Sequence, residues 1–154
     1  NRRVFRGNNL FSRGACYGLL EKLEPSEAGA GHVFLGRDKL KSNIGMNVLR
    51  QGNESYYALL DAGENWYEVE KKCEFLLAGE RELSFVVTPL TGKNIETRTV
   101  ALSGGSGTGG PYTRYCMEMS MSGPETVQIR VADLGFGELF PGSGQVWEES
   151  FSVV

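Results

Sequence analysis

Few residues in this chain are of the types that reactions require. His32 is its sole histidine. A Ser–His–Asp or Cys–His nucleophile would have to be built on it, and it stands just ahead of a strand-like run, at the edge of a breaker segment. Carboxylates are plentiful at Glu80, Glu82, Asp133, Glu138, Glu148 and Glu149. A glycosidase needs two of them facing each other, roughly 5–10 Å apart across a cleft; spacing along a chain does not establish that, so solvated loop and edge positions are the expectation. "LSGGSGTGGPY" contains Gly105-x-Gly107-x-x-Gly110, formally a dinucleotide fingerprint. That mechanism needs a helix after the glycines, so that phosphate meets the helix N-terminus. Here Pro111 and another strand follow, and no Lys-Ser or Lys-Thr does, so the stretch reads as an inter-strand loop. Cys16, Cys73 and Cys116 are odd in number and widely spaced. No disulfide framework or zinc knuckle follows from them, and free thiols in a reducing cytoplasm are the expectation.

With 154 residues the chain is long enough for a core of its own. The net charge is −3. Without a basic stripe, phosphate neutralisation has little to work with, so nucleic acid is not an expected partner. Arg2, Arg3 and Arg6 form the one basic cluster and read as a solvated tail. No apolar run reaches a membrane-spanning length, so a membrane is not expected either. The start also lacks the uninterrupted apolar segment of a signal peptide.

The elements that must position any site fall into two kinds. Residues 7–23, "GNNLFSRGACYGLLEKL", read as a helix. Asn8, Asn9 or Ser12 can cap it, and Phe11, Ala15, Leu19 and Leu23 form an apolar stripe at i, i+4 spacing. Gly14 and Gly18 each cost roughly 1 kcal/mol relative to Ala inside a helix, which suggests close approach of another backbone. A helix this short is unstable alone and is expected to dock on something. "EPSEAGAG", 24–31, is a breaker and reads as linker. From there the hydrophobic period switches from 3.6 to 2. "HVFLG", "NIGMNVLRQG", "SYYALLDAGENWYE", "KKCEFLLAG", "ELSFVVTPL", "NIETRTVALSG", "YTRYCMEMSM", "ETVQIRVADLG" and "VWEESFSVV" all read as strands. Leu83, Phe85 and Val87 share one face; so do Tyr115, Met117, Met119 and Met121; so do Val127, Ile129 and Val131. Such regular strands indicate an antiparallel sandwich or barrel. The fold expected is mainly β, an antiparallel β-sandwich preceded by one N-terminal α-helix. Trp66, Tyr67 and Trp147 would make a sugar-stacking platform if exposed, though burial is the usual fate of tryptophan. "LGFGELFPGSG", 134–144, is unusual in carrying Phe136 and Phe140 among glycines. Apolar loop residues tuck back onto the body or mark an interaction site.

The order helix, linker, sandwich brings a resemblance into view. "NNLFSRGACYGLLEKL" resembles the last helix of an actin-like ATPase domain, and Gly14-Ala15 stands where the seventy-kilodalton heat-shock chaperones carry a Gly-Ala pair. "HVFLGRDKLKSNIGMNVL" is similar to their linker and first strand, with Ile44-Gly45 matching a Leu-Gly. "KKCEFLLAGERELSFVVTPLTGK" is similar to a Phe-Ser-Thr-Ala stretch and its following strand, with Phe75 and Ala78 matching. "VQIRVADLGFGELFPGSG" resembles the closing strand and turn. The "NLF-x-RGACY" and "DLGFGELFP" stretches look closer still to bacterial proteins that pair an actin-like ATPase domain with such a β-domain.

The resemblance implies three parts: residues 1–23 as the end of an ATPase domain, 24–42 as linker and first short strand, and 43–154 as a sandwich like the chaperone substrate-binding domain. It implies a cytoplasmic, non-catalytic domain without a cofactor of its own, binding an extended polypeptide or its own ATPase domain. The cleft would be lined by Met46, Val48 and Leu49 on one side and by Leu77, Ala78 and Leu83 on the other, with main-chain hydrogen bonds holding the peptide. Two further possibilities stand beside it. One is an assembly domain contacting a partner through Phe136 and Phe140. The other is a carbohydrate-binding sandwich using Trp66 and Trp147.

Overall fold

The computed structural model describes residues 9–30, 35–79, 81–91, 94–103 and 111–153. The chain divides into two compact units between residues 34 and 35.

The first unit holds helix α1 (Leu10–Leu23) and a short helix α2 (Glu27–Ala30). Asn9 stands at the N-cap of α1 in left-handed conformation, φ 68°, and its side chain makes no capping bond. The expected side-chain cap is therefore not formed: the αL backbone turns the Asn9 carboxamide away, although its carbonyl accepts from Arg13 N–H at 2.9 Å. No residue of α1 is buried within the unit, and the expected apolar stripe, Phe11 and Leu23 included, faces solvent. The segment read as linker contains α2. The Ser26 hydroxyl receives the Gly29 N–H at 3.1 Å and donates to Glu21 Oε1 at 2.9 Å, so a serine after the proline starts a new turn and ties it back to α1. Of the short strand expected at 32–36, Leu35 and Gly36 are not in a strand and the rest lies outside the described residues.

The second unit is a sandwich of two four-stranded antiparallel sheets. Its strands are β1 (Ser42–Arg50), β2 (Asn53–Leu60), β3 (Glu70–Ala78), β4 (Glu82–Pro89), β5 (Glu96–Ala101), β6 (Tyr112–Gly123), β7 (Thr126–Asp133) and β8 (Val146–Ser152). The first sheet runs β2-β1-β4-β5 and the second β3-β6-β7-β8. Strand period explains the layering. Leu83, Phe85 and Val87 point inward from β4, Tyr115, Met117, Met119 and Met121 from β6, and Val127, Ile129 and Val131 from β7; all are buried in one core. Phe85 of the first sheet lies 5.4 Å, ring to ring, from Phe151 of the second. The methionine stripe is therefore core, filling the space between sheets.

Three departures from regular pairing matter below. A bulge between Ile44 and Gly45 makes Leu59 the extra residue of β2, which is why Leu59 and Leu60 are both buried. The β1–β4 ladder covers only Ser42–Gly45, so β1 runs on to Arg50 with β2 alone as its paired neighbour. "SYYALLDAGENWYE" is expected to be strand-like with a Gly-containing break; the break falls at Gly63, φ 95°, and the residues beyond it form a 3-10 turn at Trp66–Glu68 rather than strand. At the sheet margins, β5 is short and turns half-buried Arg98 toward the inner face, the same parity as buried Val100, while β3 carries Lys71 and Lys72.

Candidate functional site

The β7–β8 connection is closed by a set of hydrogen bonds. Asp133 ends β7, and its carboxylate binds both limbs of the loop: Oδ1 accepts from Gly135 N–H and Oδ2 from Ser143 N–H, each at 3.0 Å. Burial alone would push this carboxyl up. The hydrogen bonds from Ser143 and Gly135 outweigh that, and the group is held below its ordinary value. Phe136 N–H donates to Phe140 O at 2.7 Å, and Gly135 bridges Pro141. Gly135 has φ 61°, and a Cβ there would collide with the backbone of Phe140 and Gly142, so only glycine lets the limbs close. The outcome is a pinned loop with Phe136, Leu139 and Phe140 in solvent, Leu139 to 87% of its surface.

This loop continues onto the outer face of the second sheet. Leu134 N–H donates to Arg114 O at 2.9 Å, and Arg114 pairs with Leu76 across β6 and β3, so Leu76, Arg114 and Leu134 form one row. The next row runs Glu74, Cys116, Ala132, Val146. Beyond Leu76 in the other direction, Ala78 pairs with Tyr112. Leu76, Tyr112, Leu134 and Val146 are exposed, Leu76 to 58%. The one ion pair among them joins Arg114 Nη2 to Glu74 Oε2 at 2.5 Å.

The other end of the same face is built differently. Lys72, Glu118, Arg130 and Glu148 stand in register across all four strands. Lys72 Nζ lies 2.7 Å from Glu118, and Arg130 lies 3.1 Å from Glu118 and 3.5 Å from Glu148. Hydrogen bonds from Lys72 and then Arg130 hold Glu118 below its ordinary value, and the same bond raises Lys72. Glu70, Ser120, Gln128 and Ser150 make the adjoining polar row.

The residues expected to line a peptide cleft do not share one surface. Leu83 is 1% exposed and belongs to the core, because its parity on β4 is that of Phe85 and Val87. Met46, Val48 and Leu77 point inward and are half-buried, the first two from one sheet and Leu77 from the other. Leu49 and Ala78 alternate outward, onto the outer faces of opposite sheets. Phe136 and Phe140 do stand exposed on their loop, as one of the two branches of the expectation had it. The outward residues Leu76, Tyr112, Leu134 and Val146 escaped the sequence reading; only the strand pairing brings them together.

Trp66 and Trp147 both pack against the core, and Trp147 Nε1 donates to Ser103 O at 2.8 Å, so the indoles form no open sugar platform. Among the expected carboxylates, Asp133 is occupied by loop amides. His32, Glu80 and the Gly105–Gly110 motif lie outside the described residues. Among the described residues no group of three His, Cys, Asp or Glu side chains is placed to hold a metal, and Cys16, Cys73 and Cys116 are free thiols. No helix among them is long and apolar enough to cross a membrane.

No curated protein and no solved structure matches the chain. One family does, over residues 39–153, a span that opens at the Lys39–Asn65 bridge and takes in all eight strands of the sandwich. The chain belongs to that family, described as "Domain of unknown function (DUF8552)".

Proposed function

We propose that the sandwich is a protein-binding module that works by contact rather than by catalysis, and that its contact surface is the β7–β8 loop with the apolar end of the second sheet. One observation carries this reading: Phe136, Leu139 and Phe140 are held in solvent by a loop whose two limbs are tied to one carboxylate. A loose loop would let such residues fold back onto the body, and holding them out has a free-energy cost that a binding surface repays. The candidate partners are another subunit, or the actin-like ATPase domain that the helix–linker–sandwich order suggests. A photo-cross-linking residue in place of Leu139, used in the producing cell, tests this. Discrete adducts are expected, and they should disappear when Gly135→Val disorders the loop. Absence of adducts from positions 136, 139 and 140 counts against the reading.

A second reading, capture of an extended polypeptide in the cytoplasm by a chaperone-like domain, is favoured by the course of β1. Beyond Gly45 that strand has left β4, so the side of Met46–Leu49 turned toward β4 is not in a ladder. An added strand could pair there. Fluorescence polarisation with extended apolar peptides tests it. Saturable binding that Val48→Asp abolishes is the expected result, and none at the highest peptide concentration removes it.

A further inference from the structure

We propose that the apolar end of the second sheet is a two-fold contact between two copies of this chain. The proposal rests on the reading of this surface as a protein-contact site and specifies its occupant.

Area is the first argument. Leu76, Tyr112, Leu134 and Val146 are exposed at one end of the sheet, and Phe136, Leu139 and Phe140 are exposed on the loop that leaves that end at Leu134. Together these residues expose on the order of 700–800 Å² of surface, polar atoms included, about one partner's share of a standard interface. The loop alone offers roughly half of that, so a partner gripping only the loop would leave the sheet face uncovered. The surface is also pre-organised: the sheet residues sit on paired strands and the loop is tied by Asp133, which keeps the ordering cost of association low.

Charge is the second argument. Among the described residues of β3, β6 and the β7–β8 loop, the charged side chains at the apolar end are Arg114 and Glu74, paired with each other, and Glu138 at the loop's tip. A pair of opposite charges is self-complementary under a two-fold rotation. Arg114 of one copy meets Glu74 of the other, and Glu74 meets Arg114. A lipid surface would call for a basic rim, and among the described residues of β3, β6 and the β7–β8 loop at this end Arg114, already paired with Glu74, is the basic side chain.

Sedimentation equilibrium of the chain, from about 1 µM to about 100 µM, reaches the weakest affinities expected of an interface of this size, and a tighter one sediments as dimer throughout. A reversible monomer–dimer equilibrium is expected. Leu76→Arg should raise its Kd by at least about 30-fold, as expected for a central contact residue. Arg114→Glu should weaken it too, and Arg114→Glu combined with Glu74→Arg should restore it to within about threefold, since both exchanged charges again find partners. Val146→Lys, on a different strand, repeats the Leu76→Arg test should that variant fold poorly. Phe11→Ser in α1 should leave Kd unchanged. A chain that stays monomeric to about 100 µM overturns the proposal, and so does a dimer indifferent to the sheet variants. Cross-links from position 139 to a different protein, with a monomeric chain, sink the homodimer and leave the contact reading standing; a monomer without cross-links sinks both.

Discussion

The two ends of one sheet face are made from the same strands by opposite rules. At one end Lys72, Glu118, Arg130 and Glu148 alternate in sign across four strands, and each charge finds its partner on the neighbouring strand. At the other, Leu76, Tyr112 and Val146 occupy the equivalent outward positions of β3, β6 and β8, with apolar surface in water. The first end is complete in one molecule. Exposed ion pairs of this kind add little stability but keep a face hydrated and discourage wrong contacts. The second end leaves apolar side chains in water, and a loop tied by the Asp133 carboxylate leaves the sheet from it. On the proposed reading, a face divided this way confines contact to one half.

The contrast can be broken or sharpened by substitution. Core burial sets the scale. Leu83→Ala, on the inner face of the other sheet, should cost about 3–4 kcal/mol of unfolding free energy in urea, where a cleft-lining residue would cost little. Gly135→Val should come next, at about 3 kcal/mol, because valine must take φ 61° against the backbone of Phe140 and Gly142. Near-neutral unfolding for this variant would mean the loop is not closed as described.

Asp133→Asn should cost about 1–2 kcal/mol, since an amide oxygen can serve only one of the two limbs. Its pH dependence is a sharper test. Asp133 is held below its ordinary value when folded. A carboxylate shifted in this direction adds stability that is present above its unfolded value and is lost as pH falls through its folded value. The native chain should therefore lose stability below about pH 4, in the carboxylate range, and Asp133→Asn should show a shallower acid limb. An unchanged limb would mean that the loop does not depend on this charge. The smallest effect belongs to the charged end. Arg130→Met removes the shared partner of Glu118 and Glu148, yet should leave the urea midpoint within error, because exposed pairs are screened. A clear loss would show that the two ends differ less than their composition suggests.

Much of the sandwich could be read from strand periodicity. Leu83, Phe85, Val87 and the methionine stripe were assigned their faces correctly because a parity rule is local. Strand pairing is not local, and that is where the reading stopped. Leu76 and Val146 lie 70 residues apart in sequence yet flank the same end of a face, a fact carried only by the β3-β6-β7-β8 order. The resemblance points Leu83 at a cleft, whereas its own parity places it with Phe85 in the core, where it lies. Phe136 and Phe140 were legible as unusual; what held them out, the two-pronged grip of Asp133 on residues two and ten positions ahead, was not. The 3-10 turn at Trp66–Glu68 was hidden by aromatic residues that suit a strand equally well.

The margins of the sheets decide what kind of assembly such a module can enter. β3 bears adjacent lysines along the rim of its sheet, and short β5 carries an ion pair, Arg98 to Glu96 at 2.6 Å, on its own rim. Both features make it costly for a foreign strand to pair along β3 or β5. Growth by strand addition, the route to fibres, is thereby obstructed at those rims. A union made through the flat of the sheet has the opposite character, because the surface it consumes is not regenerated on the product.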